Sequence, residues 1–458
     1  MKILLVNPPY EESIYTEPPL GLAYIAAMLE NDFEVRIFDC VAMGWDLERY
    51  GEELKKFSPD IVGITAMTPT LSSAAELAKT TKRILPNAKI VLGGPHITLL
   101  SEETMKEIPE LDFGIMGEGE YVMRELAIAL KNGKPLDFKG IVYRKDGKIV
   151  SNGRSELIQN LDALPFPARH LLPMDKYTKV VGEPKKFVTM MTARGCPYNC
   201  IFCAKAIFGR IYRERSVKNV IEEIVQLKKE YGIKEIVFYD DSFTLNRDRI
   251  MKLCDEMIKL DYRIKWKCET RVNLVDEELL KKMKKAGCYV IAYGIESGVQ
   301  KNLDFLAKGV KLEDIRKAVE MTKKAGIEVE AYFIIGIPGE TREDAERTIK
   351  FAKELDVDYV QFSILTPLPD TDLYKYAVKK GLMQDVNWSK FSYFGDKATM
   401  TLKLENFAPE ELQKLKNKAM HDFYFRPGYI LKRMKKIKSL SELKTHLSAV
   451  KVLLKWKS

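Results

Sequence analysis

The sequence predicts an α/β protein in three parts: an N-terminal doubly wound parallel sheet of Rossmann-like form over residues 1–135, a partial (β/α)6 barrel over 186–375, and a helical basic region over 376–458. A hairpin and linker fill 136–185. Three observations predict this. Residues 1 to about 135 alternate short apolar runs with stretches of helical periodicity, the mark of a sheet wound by helices. From Phe187 the strand-then-helix pattern returns about six times, short of the eight of a closed barrel. From Arg426 to Ser458, ten basic residues stand against one acidic residue, Glu442, so this end carries nearly all of the formal charge of +9.

In the first part, strands are predicted at Ile3–Asn7, Glu34–Asp39, Ile61–Thr65, Lys89–Gly93 and Phe113–Gly117. Helices are predicted at Leu20–Leu29, near Leu47–Phe57, near Ser73–Leu85 and over Tyr121–Lys131. Ligands of open parallel sheets sit beyond the carboxyl ends of the strands, where the strand order reverses. Those ends are Asn7-Pro8-Pro9, Thr65-Ala66-Met67-Thr68-Pro69, Gly93-Gly94-Pro95-His96 and Gly117-Glu118-Gly119-Glu120. Glycines at the last two allow a close backbone approach to a ligand. Asp146-Gly147 is predicted to turn a hairpin near Ile141–Val150, and the proline-bearing stretch Leu161–Met174 reads as a linker.

The barrel strands are predicted near Thr189–Ala193, Glu235–Asp240, Lys265–Arg271, Val290–Glu296, Glu328–Ile335 and Tyr359–Leu365. Alternation tells which way their side chains point. Trp266, Cys268 and Thr270 alternate with Lys267, Glu269 and Arg271, and Val329, Ala331 and Phe333 alternate with Glu330, Tyr332 and Ile334. The apolar set faces the outer helices, so the polar set, with Gln361 and Ser363, faces the lumen. A barrel built only for stability fills its interior with branched aliphatics. This lumen is therefore either wet and occupied or cross-linked by its own ion pairs.

The chemistry concentrates in Arg194-Gly195-Cys196-Pro197-Tyr198-Asn199-Cys200-Ile201-Phe202-Cys203. A Cys-x3-Cys-x2-Cys loop supplies three thiolates where an iron-sulfur cube takes four, and no neighbouring histidine completes a zinc site. Seven cysteines, an odd number, argue against a disulfide framework and for a reducing, cytoplasmic setting. The start, Met1 to Asn7, is too short for a signal peptide or membrane span and reads as a first strand. Abundant lysine and glutamate with scarce glutamine lean towards a thermophilic source. Cys40, Cys254, Cys268 and Cys288 read as core or helix-facing thiols.

The cysteine loop, with Phe202 before its third cysteine, resembles the signature of the radical S-adenosylmethionine (SAM) superfamily. Together with the preceding sheet, the chain resembles its cobalamin-binding subfamily from Met1 to about Gly381. The resemblance implies a 4Fe-4S cluster on Cys196, Cys200 and Cys203, with SAM on the open iron. It also implies SAM contacts at successive strand ends. Tyr239, Asp240 and Asp241 stand where the methionyl amino group is held, and Arg271 where the methionyl carboxylate pairs. Glu296 stands beside the ribose, and the turn holding Gly336 and Pro338 lies along adenine. Cobalamin is implied at Thr65, Thr68, Pro69, Gly93, Gly94, His96, Gly117, Glu118 and Gly119, its nucleotide tail in the sheet crevice and no histidine on cobalt. The Asp-x-His-x-x-Gly run of histidine-ligated cobalamin domains is missing after the first strand, and Asp39-Cys40-Val41-Ala42-Met43-Gly44 has Val41 where the histidine would be.

The implied activity is reductive cleavage of SAM, hydrogen abstraction from an unactivated carbon, and C-methylation of a lipid-like or other small molecule. Ring closure on a membrane lipid or tetrapyrrole is the alternative. An electron donor of the reductase, ferredoxin or flavodoxin kind is implied as a partner. Tyr429, Leu431, Met434, Ile437, Leu447 and Trp456, interleaved with lysines, suit peripheral contact with an anionic membrane face. Docking of the same apolar positions on the enzyme itself would leave only a solvated basic face. A tRNA methylthiotransferase resembles chains with a second cysteine trio in the first domain, where this chain has only Cys40. A non-enzymatic cobalamin or redox sensor would not need SAM-contact residues at the strand ends. A nucleic-acid partner is not expected, since Tyr429 and Trp456 alone are few aromatics for base stacking.

Overall fold

The computed structural model describes residues 1–10, 16–179, 186–384 and 401–436. The chain divides into two compact units. The first holds Met1–Lys179 and Lys205–Arg215. Its strands are β1 (Lys2–Asn7), β2 (Glu34–Asp39), β3 (Ile61–Thr65), β4 (Lys89–Gly93), β5 (Phe113–Ile115), β6 (Ile141–Lys145) and β7 (Lys148–Ser151), in spatial order β2-β1-β3-β4-β5-β6-β7. The first five are parallel, and β6 and β7 add antiparallel.

Helices α1 (Leu20–Leu29), α2 (Cys40–Met43), α3 (Leu47–Phe57), α4 (Leu71–Ile84), α5 (Pro95–Leu99), α6 (Ser101–Glu107) and α7 (Gly119–Asn132) connect the strands. Strand β1 is buried through Ile3–Val6, as a strand covered on both faces is. Leu4 and Val6 join the core formed with Tyr50 and Leu54 of α3 and Leu77 of α4. Leu5 points the other way: a Cβ on Gly63 would stand 2.9 Å from Leu5 Cδ2 and 3.7 Å from Met123 of α7. The sheet is therefore doubly wound. The predicted hairpin is a sheet component rather than a spacer, because β5 would otherwise leave a bare edge; Asp146 (φ 50°) and Gly147 (φ 75°) make its turn. The stretch after it returns over the carboxyl edge, where the Tyr177 hydroxyl donates to Asp39 Oδ2 at 2.9 Å.

Two-residue strands β9 (Ala193–Arg194) and β10 (Arg213–Glu214) flank the cysteine loop in sequence. The second unit is built on β8 (Phe187–Met190), β11 (Glu235–Phe238), β12 (Lys265–Thr270), β13 (Cys288–Glu296), β14 (Glu328–Ile335) and β15 (Tyr359–Ile364). These six are parallel and ordered β8-β11-β12-β13-β14-β15, an unclosed barrel. Between and after them run α8 (Val217–Tyr231), α9 (Arg247–Leu260), α10 (Glu277–Lys285), α11 (Gln300–Phe305), α12 (Leu312–Lys324), α13 (Arg342–Glu354) and α14 (Asp372–Lys379). Their starts are set by side chains that accept otherwise orphaned backbone N–H groups: Ser216 for α8, Asn246 for α9, Asp276 for α10 and Thr341 for α13.

The first barrel strand stops before the predicted Ala193, because the Thr192 N–H turns to the Asp240 carboxylate instead of continuing a ladder. Helices α15 (Pro409–Tyr424) and α16 (Pro427–Lys436) dock on the barrel. The Tyr424 hydroxyl donates to Val360 O (2.7 Å), the Tyr429 hydroxyl donates to Asp358 O (2.8 Å), and Arg433 pairs with Glu328 (3.2 Å). The basic apolar stretch predicted beyond residue 436 lies outside the described residues. No helix among the described residues is long and apolar enough to cross a membrane.

Candidate functional site

The loop carrying Cys196, Cys200 and Cys203 leaves β9 through Gly195, whose φ of 84° is a left-handed conformation that favours glycine. Its entry is fastened from the segment after β11 and from α9. Asp240 accepts from Thr192 N (2.6 Å) and Thr192 Oγ1 (2.5 Å), and Arg249 donates to Thr192 O at 2.9 Å. Asp241 accepts from Gly195 N at 3.0 Å. Cys196 is half-buried, Cys200 buried and Cys203 exposed, and none of the three is in a disulfide. Among the described residues no three His, Cys, Asp or Glu side chains stand close enough to share one metal ion. A cluster ligated by one thiol per iron asks for a wider spacing, and three soft sulfur donors on one loop suit iron-sulfur chemistry.

Several expected SAM contacts take other work in this structure. Asp240 is buried with both oxygens on Thr192, which anchors the entry to the cysteine loop; burial pushes its carboxyl up to about 6. Tyr239, half-buried, continues the β8 pairing through its N–H to Met190 O at 2.9 Å. Glu296, at a positive φ of 69°, meets Lys308 Nζ at 2.6 Å in a buried pair. Gly294 makes room for this pair, since a Cβ there would stand 2.5 Å from Glu296 Oε1.

The turn Gly336-Ile337-Pro338-Gly339 is closed on Glu340, which accepts from Gly336 N (2.6 Å) and Ile337 N (3.2 Å); burial raises this carboxyl to about 7. One side of Gly336 is covered, because a Cβ would meet Leu412 of α15 at 2.6 Å. Pro338 stays half-buried. Arg271 is packed against the cysteine loop: Nη1 lies 3.4 Å from Cys200 Sγ and the guanidinium 3.7 Å from the Tyr198 ring centre. Thr192, Arg249, Tyr198, Lys308 and Glu340 were not singled out as site residues from the sequence. Only Glu340, inside a glycine-proline turn, carried a local signal.

The polar set faces the lumen as expected, and it is cross-linked by its own pairs. Lys267 pairs with Glu330 at 3.1 Å, and the Tyr332 hydroxyl donates to Glu269 at 2.9 Å. Strand β13 permits these cross-links, since register sets its small Ala292 and Gly294 between the longer side chains of β12 and β14. Cys40, Cys254, Cys268 and Cys288 are buried, as expected of core thiols.

In the first unit the strand order reverses between β1 and β3, the switch point of a 2-1-3-4-5 sheet. Tyr177 and Asn7 are committed to Asp39 there. The neighbouring ends of β3 and β4 are open: Thr65 and Gly93 face each other in register, a Cβ on Gly93 would meet nothing within 4 Å, and Met67 is 54% exposed. Pro69 is half-buried beside them.

The other residues expected to meet a ligand there have partners within the chain. A Cβ on Gly94 would stand 2.7 Å from Ala66 O, and one on Gly117 2.6 Å from Ser155 Oγ. Gly119 starts α7 against Ile25. Glu118 accepts from Ile158 N (2.7 Å) and pairs with Arg213 (2.7 Å), both buried. His96 is buried with Nδ1 3.1 Å from Thr68 Oγ1, and desolvation lowers its pKa to about 4. The unfolded chain therefore takes up a proton near pH 6.5 that the folded chain refuses until about pH 4. Stability at this site is full above pH 6.5 and falls as the pH drops towards 4; denaturation of His96→Gln across that window is expected to show a shallower acid slope than the parent.

Two family models match the chain: the B12 binding domain over residues 11–127 and the radical SAM superfamily over residues 190–352. An uncharacterized methyltransferase of Pyrococcus horikoshii is 44% identical over 94% of this chain and 94% of its own length. An anaerobic magnesium-protoporphyrin IX monomethyl ester cyclase of Rubrivivax gelatinosus is 34% identical over 82% of this chain and 70% of its own. Among solved structures, the cobalamin-dependent SAM radical enzyme OxsB superposes with a TM-score of 0.75 at 19% identity, covering 98% of this chain and 70% of that one. The radical SAM methyltransferase TsrM from Kitasatospora setae gives 0.73 at 20% identity, covering 93% and 89%. These structural likenesses carry the fold.

Proposed function

Because the chain belongs to the radical SAM enzymes that carry a B12-binding domain, a family with methyltransferase and cyclase members, we propose that it is a cobalamin-dependent radical SAM enzyme that methylates an unactivated carbon. The observation that carries this reading is the cysteine loop, three thiols at the carboxyl end of the barrel, held by Asp240 and Asp241 just after β11 and by Arg271 just after β12. When bound, the cluster supplies one electron to split SAM into methionine and a 5'-deoxyadenosyl radical, and cobalamin supplies the methyl group for the substrate carbon. An aliphatic carbon offers no nucleophile, so two cofactors serve one bond.

Cys196, Cys200 and Cys203 would hold the cluster, and the opening at Thr65, Met67 and Gly93 would receive part of the cobalamin. His96, buried against Thr68, is not offered to cobalt. The test is anaerobic reconstitution with iron, sulfide and cobalamin, followed by reductant and SAM, with 5'-deoxyadenosine, methylcobalamin and bound corrin assayed together. Methylcobalamin turnover supports methyl transfer. Deoxyadenosine with bound corrin but no methyl turnover favours ring closure, and deoxyadenosine without corrin removes cobalamin from the reading. Electrons come from a donor of the ferredoxin or flavodoxin class.

The lipid-like substrate expectation rests on α16. Lys432, Arg433 and Tyr429 face the barrel, whereas Ile430, Leu431 and Met434 on the other side are 40%, 60% and 63% exposed. Basic residues continue beyond this helix, so the face suits an anionic membrane surface. The full chain is expected to co-sediment with phosphatidylglycerol vesicles, and Leu431→Glu/Met434→Glu to reduce the bound fraction about tenfold, the loss of about 1.4 kcal/mol. Equal binding by the variant would remove the membrane reading.

A further inference from the structure

We propose that Arg271 is a positioning residue that tunes the reduction potential of the cluster through a hydrogen bond to the Cys200 sulfur, an inference that rests on the cluster assignment above. Its Nη1 lies 3.4 Å from Cys200 Sγ. The other edges of the guanidinium are held as well. Nε donates to Asn273 Oδ1 at 3.2 Å, Nη2 donates to Lys308 O, and one face lies on the Tyr198 ring at 3.7 Å. Arg271 is 6% exposed and Cys200 8%. A planar donor fixed on three edges and one face has little freedom to leave the sulfur, and being buried it acts with little screening by water.

The physical effect has a definite sign. One electron added to a 2+ cluster makes its thiolates more electron-rich, so a cationic N–H donor to a ligating sulfur stabilises the reduced form more than the oxidised form and raises the potential. Only the electron moves: a low-potential reductant is oxidised by one electron and the cluster reduced by one, with no proton transferred. Cys203 is exposed, so a comparable donor there would compete with water. Holding Arg271 on Cys200 also gives it a task distinct from pairing with a methionyl carboxylate.

The test is a dithionite-poised redox titration of the reconstituted full-length protein without SAM, followed by electron paramagnetic resonance of the reduced cluster. Iron and sulfide are measured in parallel. Arg271→Gln is expected to hold the same iron and sulfide while its reduction equilibrium weakens about tenfold, a midpoint about 59 mV more negative for a one-electron couple. Arg271→Lys, which keeps the charge without the planar fork, is expected to fall between. An unchanged midpoint in Arg271→Gln at full iron content, with SAM binding weakened instead, overturns the proposal and leaves Arg271 as a carboxylate partner. If Arg271→Gln fails to hold a cluster, Arg271→Lys decides the question by the same titration: it keeps the charge but loses the fixed donor to Cys200, and a wild-type midpoint there at full iron content overturns the proposal. Absence of iron from the parent protein itself would instead refute the cluster assignment.

Discussion

Cys200→Ala is expected to abolish 5'-deoxyadenosine formation, by at least about 10³-fold, the loss of about 4 kcal/mol of barrier lowering. Cys200 is the buried member of the trio and the one in contact with Arg271. With two thiols left, the cube lacks a ligand on a second iron, and the electron that splits SAM has no stable carrier. Iron content should fall with activity, whereas Cys254→Ala, which removes a buried core thiol on α9, should lose some stability and keep the cluster. Anaerobic turnover and iron analysis of the two variants separate the roles. Deoxyadenosine production by Cys200→Ala at the parent rate would overturn the assignment of the loop.

The second large effect is expected at Glu118 and Arg213. Their side chains are 0% and 3% exposed and meet at 2.7 Å; Arg213 also donates to Ile158 O (2.7 Å) and Phe208 O (3.1 Å). Removing one partner leaves the other charge buried without its counter-charge, at a cost of about 3–5 kcal/mol. Glu118→Ala or Arg213→Ala should therefore lower the denaturation midpoint steeply. The double replacement Glu118→Leu/Arg213→Met should recover much of the loss, because two packed apolar side chains need no pairing. Urea denaturation of the three variants reads this directly. A double variant as unstable as either single one would show that the backbone bonds to Ile158 and Phe208, not the ion pair, fasten this stretch.

Much of this architecture could be read before any coordinates. Helix α1 and strand β14 fall where periodicity places them, and the turn at Asp146-Gly147 follows from residues that tolerate positive φ. The facing of Lys267, Glu269, Glu330 and Tyr332 follows from strand alternation alone. What escaped was pairing at a distance. Arg213 meets a carboxylate 95 positions away and Asp240 meets Thr192 48 positions away, and no local pattern joins such residues. The partners of Asp240 and Glu118 were not legible for one physical reason: a carboxylate at a strand end is as useful for tying down a loop as for holding a ligand, and the sequence does not show which buried donor reaches it.

The cross-links inside the barrel also govern traffic. Glu235, fully buried, accepts from the Tyr289 hydroxyl, and Lys267 and Glu330 join across Ala292. Arg433 of α16 adds a contact to Glu328 and to the Tyr359 hydroxyl at the same amino-terminal end. The barrel is thus a well with a floor. On the proposed function, molecules that react at the cysteine loop therefore do not pass through the amino-terminal end of the barrel.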